Sequence, residues 1–401
     1  MRIIKVLLYC DLPSLWNSFA ALYISLLQDS RFDVTVLAMP ELYNGKFKNY
    51  DIIDFFDQNG IAYIKGYDVL KKNYIKLSFK EYDYIFPNRP YDNLRPRQYS
   101  NKIMSKCCAL CHITYGTCIF DGKVLEIVCG FGHLHYYKFV FSETPIHTEI
   151  YLKKRQEYGN CPTQIITVGS PKFDTIRNLV LYTNKQYKQT VLYTPRWNLE
   201  EGTSSFLDIY PYFFDLVKNN PCIKYIFRPH PLMESTFCNS IWSQKEWTDF
   251  IDCFHHYPNA EIDLSSNYLE AFAQADVLVS DVSSLMAEFL LTEKPIIYMH
   301  KKKVFNVFGN QIAEGFYWCT NEKELEQTLK TLRSGVDSKK SLRRCIIKKN
   351  YYFKETNSVE SIKQLLIKEE NFHVPSSVFK RFINRTRAFF RRSFRNGTRG
   401  A

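Results

Sequence analysis

Three short polar turns follow apolar runs in the second half of the chain: Thr194-Pro195-Arg196, Arg228-Pro229-His230-Pro231 and Ser280-Asp281-Val282-Ser283-Ser284. Together they hold two guanidinium groups, one imidazole and several hydroxyls. The pattern predicts a helix starting at Ser283. A helix start leaves backbone N–H groups unpaired and carries partial positive charge. Ser283 and Ser284 add hydroxyl donors there, which makes a seat for phosphate. Arg196 and Arg228 would add forked donors suited to phosphate oxygens. His230, held between two prolines, has restricted backbone freedom. A protonated His230 would be a proton donor to a bound phosphate, since histidine titrates near neutrality. The bland alternative for the third turn is a plain N-cap at Ser283 or Asp281. Glu288, on the same helix beside apolar positions, reads either as a buried partner for an arginine or as a ribose ligand.

These turns matter only if their strands end together. The first half alternates strand and helix patterns: strands at 3–9, 33–39, 61–64, 82–86, 111–116, 136–143 and 164–167, with helix patterns at 14–27 and 47–58. The second half repeats the alternation: strands at 190–194, 223–227, 260–263, 276–281 and 295–299, and helices at 204–218, 283–292, 322–333 and 357–369. Such alternation predicts parallel sheets covered by helices on both faces. The expected architecture is α/β, two doubly wound Rossmann-like domains facing a cleft, spanning 1–183 and 184–370, followed by a tail at 371–401. In open α/β sheets ligands sit outside the carboxyl ends of the strands, where all three turns fall.

Other classes drop out. No Gly-x-Gly follows the first strand, and no Walker loop, H-E-x-x-H or G-x-S-x-G occurs. The twelve cysteines are scattered among apolar segments and read as reduced thiols of a cytoplasmic protein. Cys107, Cys108, Cys111 and Cys118 beside His112 lack a second well-spaced pair, so zinc is not expected. No Asp-x-Asp pattern stands out, and neither a metal nor a tightly bound cofactor is expected. No run of about 18 apolar residues suggests a spanning helix, and "MRIIKVLLYCDLPS" reads as a first buried strand.

Taken together, "YTPRW" (193–197), "FRPHP" (227–231), "DVLVSDVSSLMAEFLLTEKPIIY" (276–298) and "VGSPKFD" (168–174) resemble the CDP-glycerol glycerophosphotransferase family, the teichoic-acid and capsule polymerase group. "RPYDNLRP" (89–96) is similar to a substrate-side motif of a capsule-associated branch. The resemblance implies a GT-B architecture and transfer of a phosphopolyol such as glycerol phosphate from a CDP-linked donor to a glycan or lipid-linked hydroxyl, with loss of CMP. It implies that Arg196, His230, Ser280, Asp281, Ser283, Ser284 and Glu288 serve the donor, with Arg228 supporting His230. Arg89, Asp92 and Arg95 would then face the acceptor. Many members carry a Trp-His-Gly motif with a catalytic histidine; here Thr114-Tyr115-Gly116 stands in that place. Tyr115, His112 or Asp92 then takes the role, or catalysis depends less on a base. "CGFGHLH" (129–135) is expected as a loop near the acceptor or as a surface hairpin. A GT-B glycosyltransferase using a nucleotide sugar in capsule or lipooligosaccharide synthesis, and a non-catalytic scaffold, are the competing readings.

The net charge is +12, and eight of the basic residues, with no acid, lie between Asn371 and Ala401. On a helical wheel Phe379, Phe382, Ile383, Phe389, Phe390 and Phe394 fall within an arc of about 140°, while basic residues including Arg385, Arg391 and Arg392 occupy the rest. That pattern predicts a basic amphipathic helix lying on an anionic membrane, at the inner face of the cell membrane. No nucleic-acid module is recognisable.

Overall fold

The structure is a computed structural model that describes residues 2–43, 46–159, 161–181, 186–302, 304–353 and 357–369. The expected boundary at 183/184 and the tail from 371, with Phe382, Arg385, Phe389, Phe390, Arg391 and Arg392, lie outside the described residues. Met1–Ile362 forms one compact unit that contains both sheets described below. Among the described residues no helix is long and apolar enough to cross a membrane.

In chain order the strands are β1 (Ile4–Cys10), β2 (Phe32–Ala38), β3 (Glu41–Tyr43), β4 (Lys46–Asn49), β5 (Ile64–Lys65), β6 (Tyr67–Asp68), β7 (Asn73–Tyr74), β8 (Tyr84–Pro87), β9 (Ala109–Ile113), β10 (Phe139–Ser142), β11 (Gln164–Thr167), β12 (Gln189–Thr194), β13 (Ile223–Phe227), β14 (Ala260–Ile262), β15 (Val277–Ser280), β16 (Ile296–Met299) and β17 (Tyr317–Cys319). One sheet has the order β11-β10-β9-β8-β1-β2-β5, the other β14-β13-β12-β15-β16-β17. The pairs within both sheets are parallel. Each sheet reverses direction once, between β1 and β8 and between β12 and β15. This is the doubly wound order, and the reversal points are where such sheets bind ligands. The central strands are apolar along their length because helices cover both faces; β12 is buried at every position.

The first half departs from the sequence expectation in three places. The helix expected over 47–58 begins only at Ile52, because Lys46–Asn49 pairs antiparallel with β3. "KFK" alternates polar and apolar with a strand's period of two. The stretch at 14–27 begins as a 3-10 turn, Pro13–Ser18, before the helix Ala20–Leu27. "CGFGHLH" is no loop: the helices Lys123–Cys129 and Phe131–Leu134 meet at Gly130, where an added Cβ would lie 2.1 Å from the Glu126 carbonyl oxygen.

The halves share a core. Ile119, Phe120, Phe173 and Ile176 join Leu192, Ile226, Tyr268 and Met286 in one buried cluster. Phe120 and Phe305 form an isolated bridge with stacked rings. Asn306, which caps the helix Val307–Ala313, donates to the Cys118 carbonyl at 2.8 Å.

Candidate functional site at the strand ends

Register brings the three turns together. Tyr193 of β12 lies opposite Phe227 of β13, and Thr194 lies opposite Ser280 of β15. The segments after these strands therefore leave neighbouring strand ends at the reversal point. Ser283 and Ser284 are half-buried there, and the helix Leu285–Phe289 follows. Ser283 Oγ accepts from the Leu285 amide at 3.2 Å.

His230 is solvent-exposed. Its ring stacks on Trp197, with centroids 5.6 Å apart and planes 28° apart. Its Nδ1 accepts from the Leu232 amide at 3.1 Å, so the neutral ring carries its proton on Nε2. Packing of the ring against its own turn and Trp197 desolvates part of it, and Arg196 and Arg228 add like charge, so the imidazole pKa is lowered from its ordinary value. Without an anion beside it, His230 is neutral at neutral pH.

Both arginines already have carboxylate partners. Arg196 makes a fork to Glu201, Nε to Oε2 at 2.9 Å and Nη2 to Oε1 at 2.8 Å. Arg228 pairs with Asp263 and donates from Nη2 to the Ser265 carbonyl at 2.7 Å. A ligand phosphate would share these cations with Glu201 and Asp263, neither of which was singled out from sequence.

Three expected donor residues act behind the surface instead. Ser280 is fully buried; it accepts from Thr194 Oγ1 at 2.9 Å and donates to the Thr194 carbonyl at 2.7 Å. Asp281 is also fully buried. Its Oδ1 accepts from the Arg196 amide at 2.5 Å, and its Oδ2 accepts from Ser205 N at 2.7 Å and Ser205 Oγ at 2.9 Å. Burial raises the Asp281 carboxyl to about 6, against the pull of those hydrogen bonds. Glu288, 1% exposed, uses both oxygens: Oε1 accepts from Lys172 Nζ at 2.6 Å, and Oε2 accepts from the Tyr268 hydroxyl. Its partner is a lysine of the "VGSPKFD" stretch. Lys172 also donates to the Tyr115 carbonyl at 2.9 Å. These residues shape the turns and have no free face for a ligand.

Across from this floor stands the end of β9. A Cβ on Gly116 would lie 3.3 Å from Ser284 Oγ, so the Thr114-Tyr115-Gly116 turn abuts the serine turn. The expected base candidates fare differently. His112 is buried within β9; neither ring nitrogen has a hydrogen-bond partner, and burial with nearby Arg95 pushes it down to about 3. Its ring lies edge-on to Tyr137 at 5.8 Å; it packs as a core residue, with no open path from its ring nitrogens to solvent. Tyr115 shares a 3.0 Å hydroxyl contact with Tyr91, and burial raises its phenol, so it keeps its proton and is a poor base. Asp92 is spent in part on the Asn101 amide at 2.7 Å.

Arg89 and Arg95 do not reach outward either. Arg89 donates to Asp11 from Nε at 3.0 Å and Nη2 at 2.8 Å, across the reversal point between β1 and β8. The Arg95 side chain is 0% exposed; it donates to Asn101 at 2.5 Å and lies over the Tyr9 ring at 5.1 Å. Both brace the "RPYDNLRP" segment from within, which corrects their expected contact with an acceptor. One carboxylate was missed: Glu143, immediately after β10, is buried with Oε2 unpartnered, and desolvation raises its pKa. Its signal was an acid closing the apolar stretch 136–143. Among the described residues no group of three or more His, Cys, Asp or Glu side chains gathers closely enough to hold a metal ion.

Two doubly wound parallel sheets whose strand ends meet at Gly116 and Ser284 define a GT-B-type fold. The chain aligns over 91% of its length with the wall teichoic acid polymerase TagF, at 13% identity and a TM-score of 0.56, covering 88% of that chain. It aligns over 93% with a putative UDP-N-acetylglucosamine 2-epimerase from Listeria monocytogenes, at 11% identity and a TM-score of 0.58, covering 98% of that chain. It aligns over 91% with UDP-GlcNAc 2-epimerase from Neisseria meningitidis bound to UDP-GlcNAc, at 10% identity and 0.57, covering all of that chain. These similarities are ones of fold. No curated protein matches the chain in sequence. The family model for CDP-Glycerol:Poly(glycerophosphate) glycerophosphotransferase matches residues 133–368, and the chain belongs to that family. It is a transferase of the glycerophosphotransferase type that uses a nucleotide-linked donor.

Proposed function

We propose that the protein moves glycerol phosphate, or a similar phosphopolyol, from a CDP-linked donor to a hydroxyl of a cell-surface glycan or lipid-linked acceptor and releases CMP. The placement of Arg196, His230, Ser283 and Ser284 after the neighbouring strands β12, β13 and β15, with Ser284 beside Gly116, carries this reading. The acceptor hydroxyl oxygen attacks the phosphorus that bears the polyol, its proton passes to water, and the bond from that phosphorus to the CMP oxygen breaks, so that CMP leaves with the bonding pair. Arg196, Arg228 and the serine turn hold the negative charge. His230 Nε2–H points its proton at the departing phosphate. A diphosphate beside the ring offsets the two arginines and raises its pKa toward the range useful for proton donation. The reading assigns no resident cofactor, so transfer should persist after chelation. The sequence pattern of phenylalanines and arginines in the basic tail supports work at the inner membrane face.

The test is titration with CDP-glycerol, CDP-ribitol and UDP-sugars, following CMP release and the new bond by phosphorus NMR. A new phosphodiester supports the reading; a glycosidic product replaces it with a sugar transferase. His230→Gln should lower transfer about a hundredfold or more with the melting temperature unchanged, because the ring's hydrogen bond is to its own turn. Full turnover in that variant would remove His230 from the chemistry.

A further inference from the structure

Two small hairpins at the edge of the first sheet form a surface that the transfer chemistry does not use. β3 and β4 make one, β6 and β7 the other, and Phe47 packs on Tyr67 with ring centroids 5.5 Å apart. The pair is anchored at the end of β2. Tyr50 donates to the Ala38 carbonyl at 2.8 Å and accepts from the Tyr67 amide at 3.1 Å. A Cβ on Gly66 would lie 2.0 Å from Met39 Sδ, so the chain crosses β2 with no room to spare. The turn beyond is also held: Asp68 Oδ1 accepts from the Leu70 and Lys71 amides, both at 3.0 Å.

This anchored turn presents apolar side chains to water. Leu70 is 95% exposed and Val69 56%, with Phe47 and Ile64 also exposed behind them. Around them Lys46, Lys48, Lys65, Lys71, Lys72 and Lys76 are all exposed. Among the described residues, the acids that pair with this ring are Glu41, with Lys48, and Asp68, with Lys71. A fixed apolar tip within a cationic collar is what the interface of an anionic bilayer accommodates: the tip enters the acyl boundary while lysine stems reach back to the headgroups. The hairpins also border the 89–99 segment, since the Tyr99 hydroxyl donates to the Ile75 carbonyl at 2.9 Å. We propose that this platform, centred on Val69, Leu70, Lys71 and Lys72, docks the first half of the protein on an anionic lipid surface. It stands independently of the donor site and of the basic tail.

Full-length protein is sedimented with phosphatidylcholine vesicles, with and without phosphatidylglycerol. Val69→Ser with Leu70→Ser removes the apolar tip. Lys71→Gln with Lys72→Asn removes two charges, asparagine suiting the left-handed backbone at Lys72 (φ 50°). Each lysine near an anionic surface contributes roughly a fivefold factor, so the charge variant should lose about tenfold or more in partition to the anionic vesicles, and little on neutral ones. The tip variant should lose about fivefold or more on the anionic vesicles. Melting temperatures should match the parent's, since these side chains are exposed. Wild-type partition in both variants overturns the proposal, as it leaves the tail alone to bind. So does a loss of self-association in sedimentation velocity without loss of vesicle binding, which would make the platform a contact between copies.

Discussion

The Lys172–Glu288 pair offers a sharp test of how the site is held. Lys172 follows β11, Glu288 lies in the helix behind the serine turn, and both are buried, at 9% and 1% side-chain exposure. Removing one member of a buried pair strands the other charge, at a cost of about 3–5 kcal/mol. Glu288→Leu also orphans the Tyr268 hydroxyl, for about 1 kcal/mol or more. The expected loss is therefore about 5 kcal/mol for Glu288→Leu and about 4 kcal/mol for Lys172→Met. For a chain of this size each kcal/mol shifts the melting temperature by about 1–2 °C, so drops of about 4–10 °C should appear by circular dichroism. The double variant removes both charges together and should recover about 3 kcal/mol relative to the sum. Transfer should fall in the single variants too, because Lys172 also holds the Tyr115 carbonyl opposite Ser284. Single variants within about 1 kcal/mol of the parent, or strictly additive losses in the double variant, would refute a coupled internal clamp.

Two further outcomes separate framework from chemistry. His112→Phe should keep full transfer and gain about 1 kcal/mol, since it replaces two unpartnered buried nitrogens with ring carbons; a collapse of activity at unchanged melting temperature would restore His112 as a catalyst. Asp281, raised to about 6 from an ordinary value of 3.8, binds more protons folded than unfolded between those values. Its contribution is fully present below about pH 4 and is lost, by about 3 kcal/mol, as pH rises through 6. Asp281→Asn should flatten that decline in pH-dependent denaturation; an unchanged pH slope would mean that the carboxyl titrates normally.

Much of the architecture was legible because its signals are local. Apolar runs such as "IKVLLYC" and "TVLYT" must be buried on both faces, and that requires parallel strands under helices. The turn motifs were legible because proline, arginine, histidine and paired serines at strand ends have few structural reasons to recur together. The β3–β4 hairpin was hidden because a short Lys-Phe-Lys stretch carries little periodic information. The helices around Gly130 were hidden because two glycines in seven residues mimic a loop.

The roles within the site divide the same way. Residue type alone indicated which chemistry the strand ends favour, because phosphate recognition depends on groups that any sequence displays. It could not say which side chains face a ligand. That was decided by register and burial: Ser280, Asp281, Glu288, Arg89 and Arg95 turn inward to partners as far as 116 residues away in the chain. An ionised or hydroxyl group taken out of water must find such a partner, and partners distant in sequence become neighbours only when the sheets and their connecting turns pack. Tertiary structure therefore sorted one cluster of polar residues into those that brace the turns and those left open to bind.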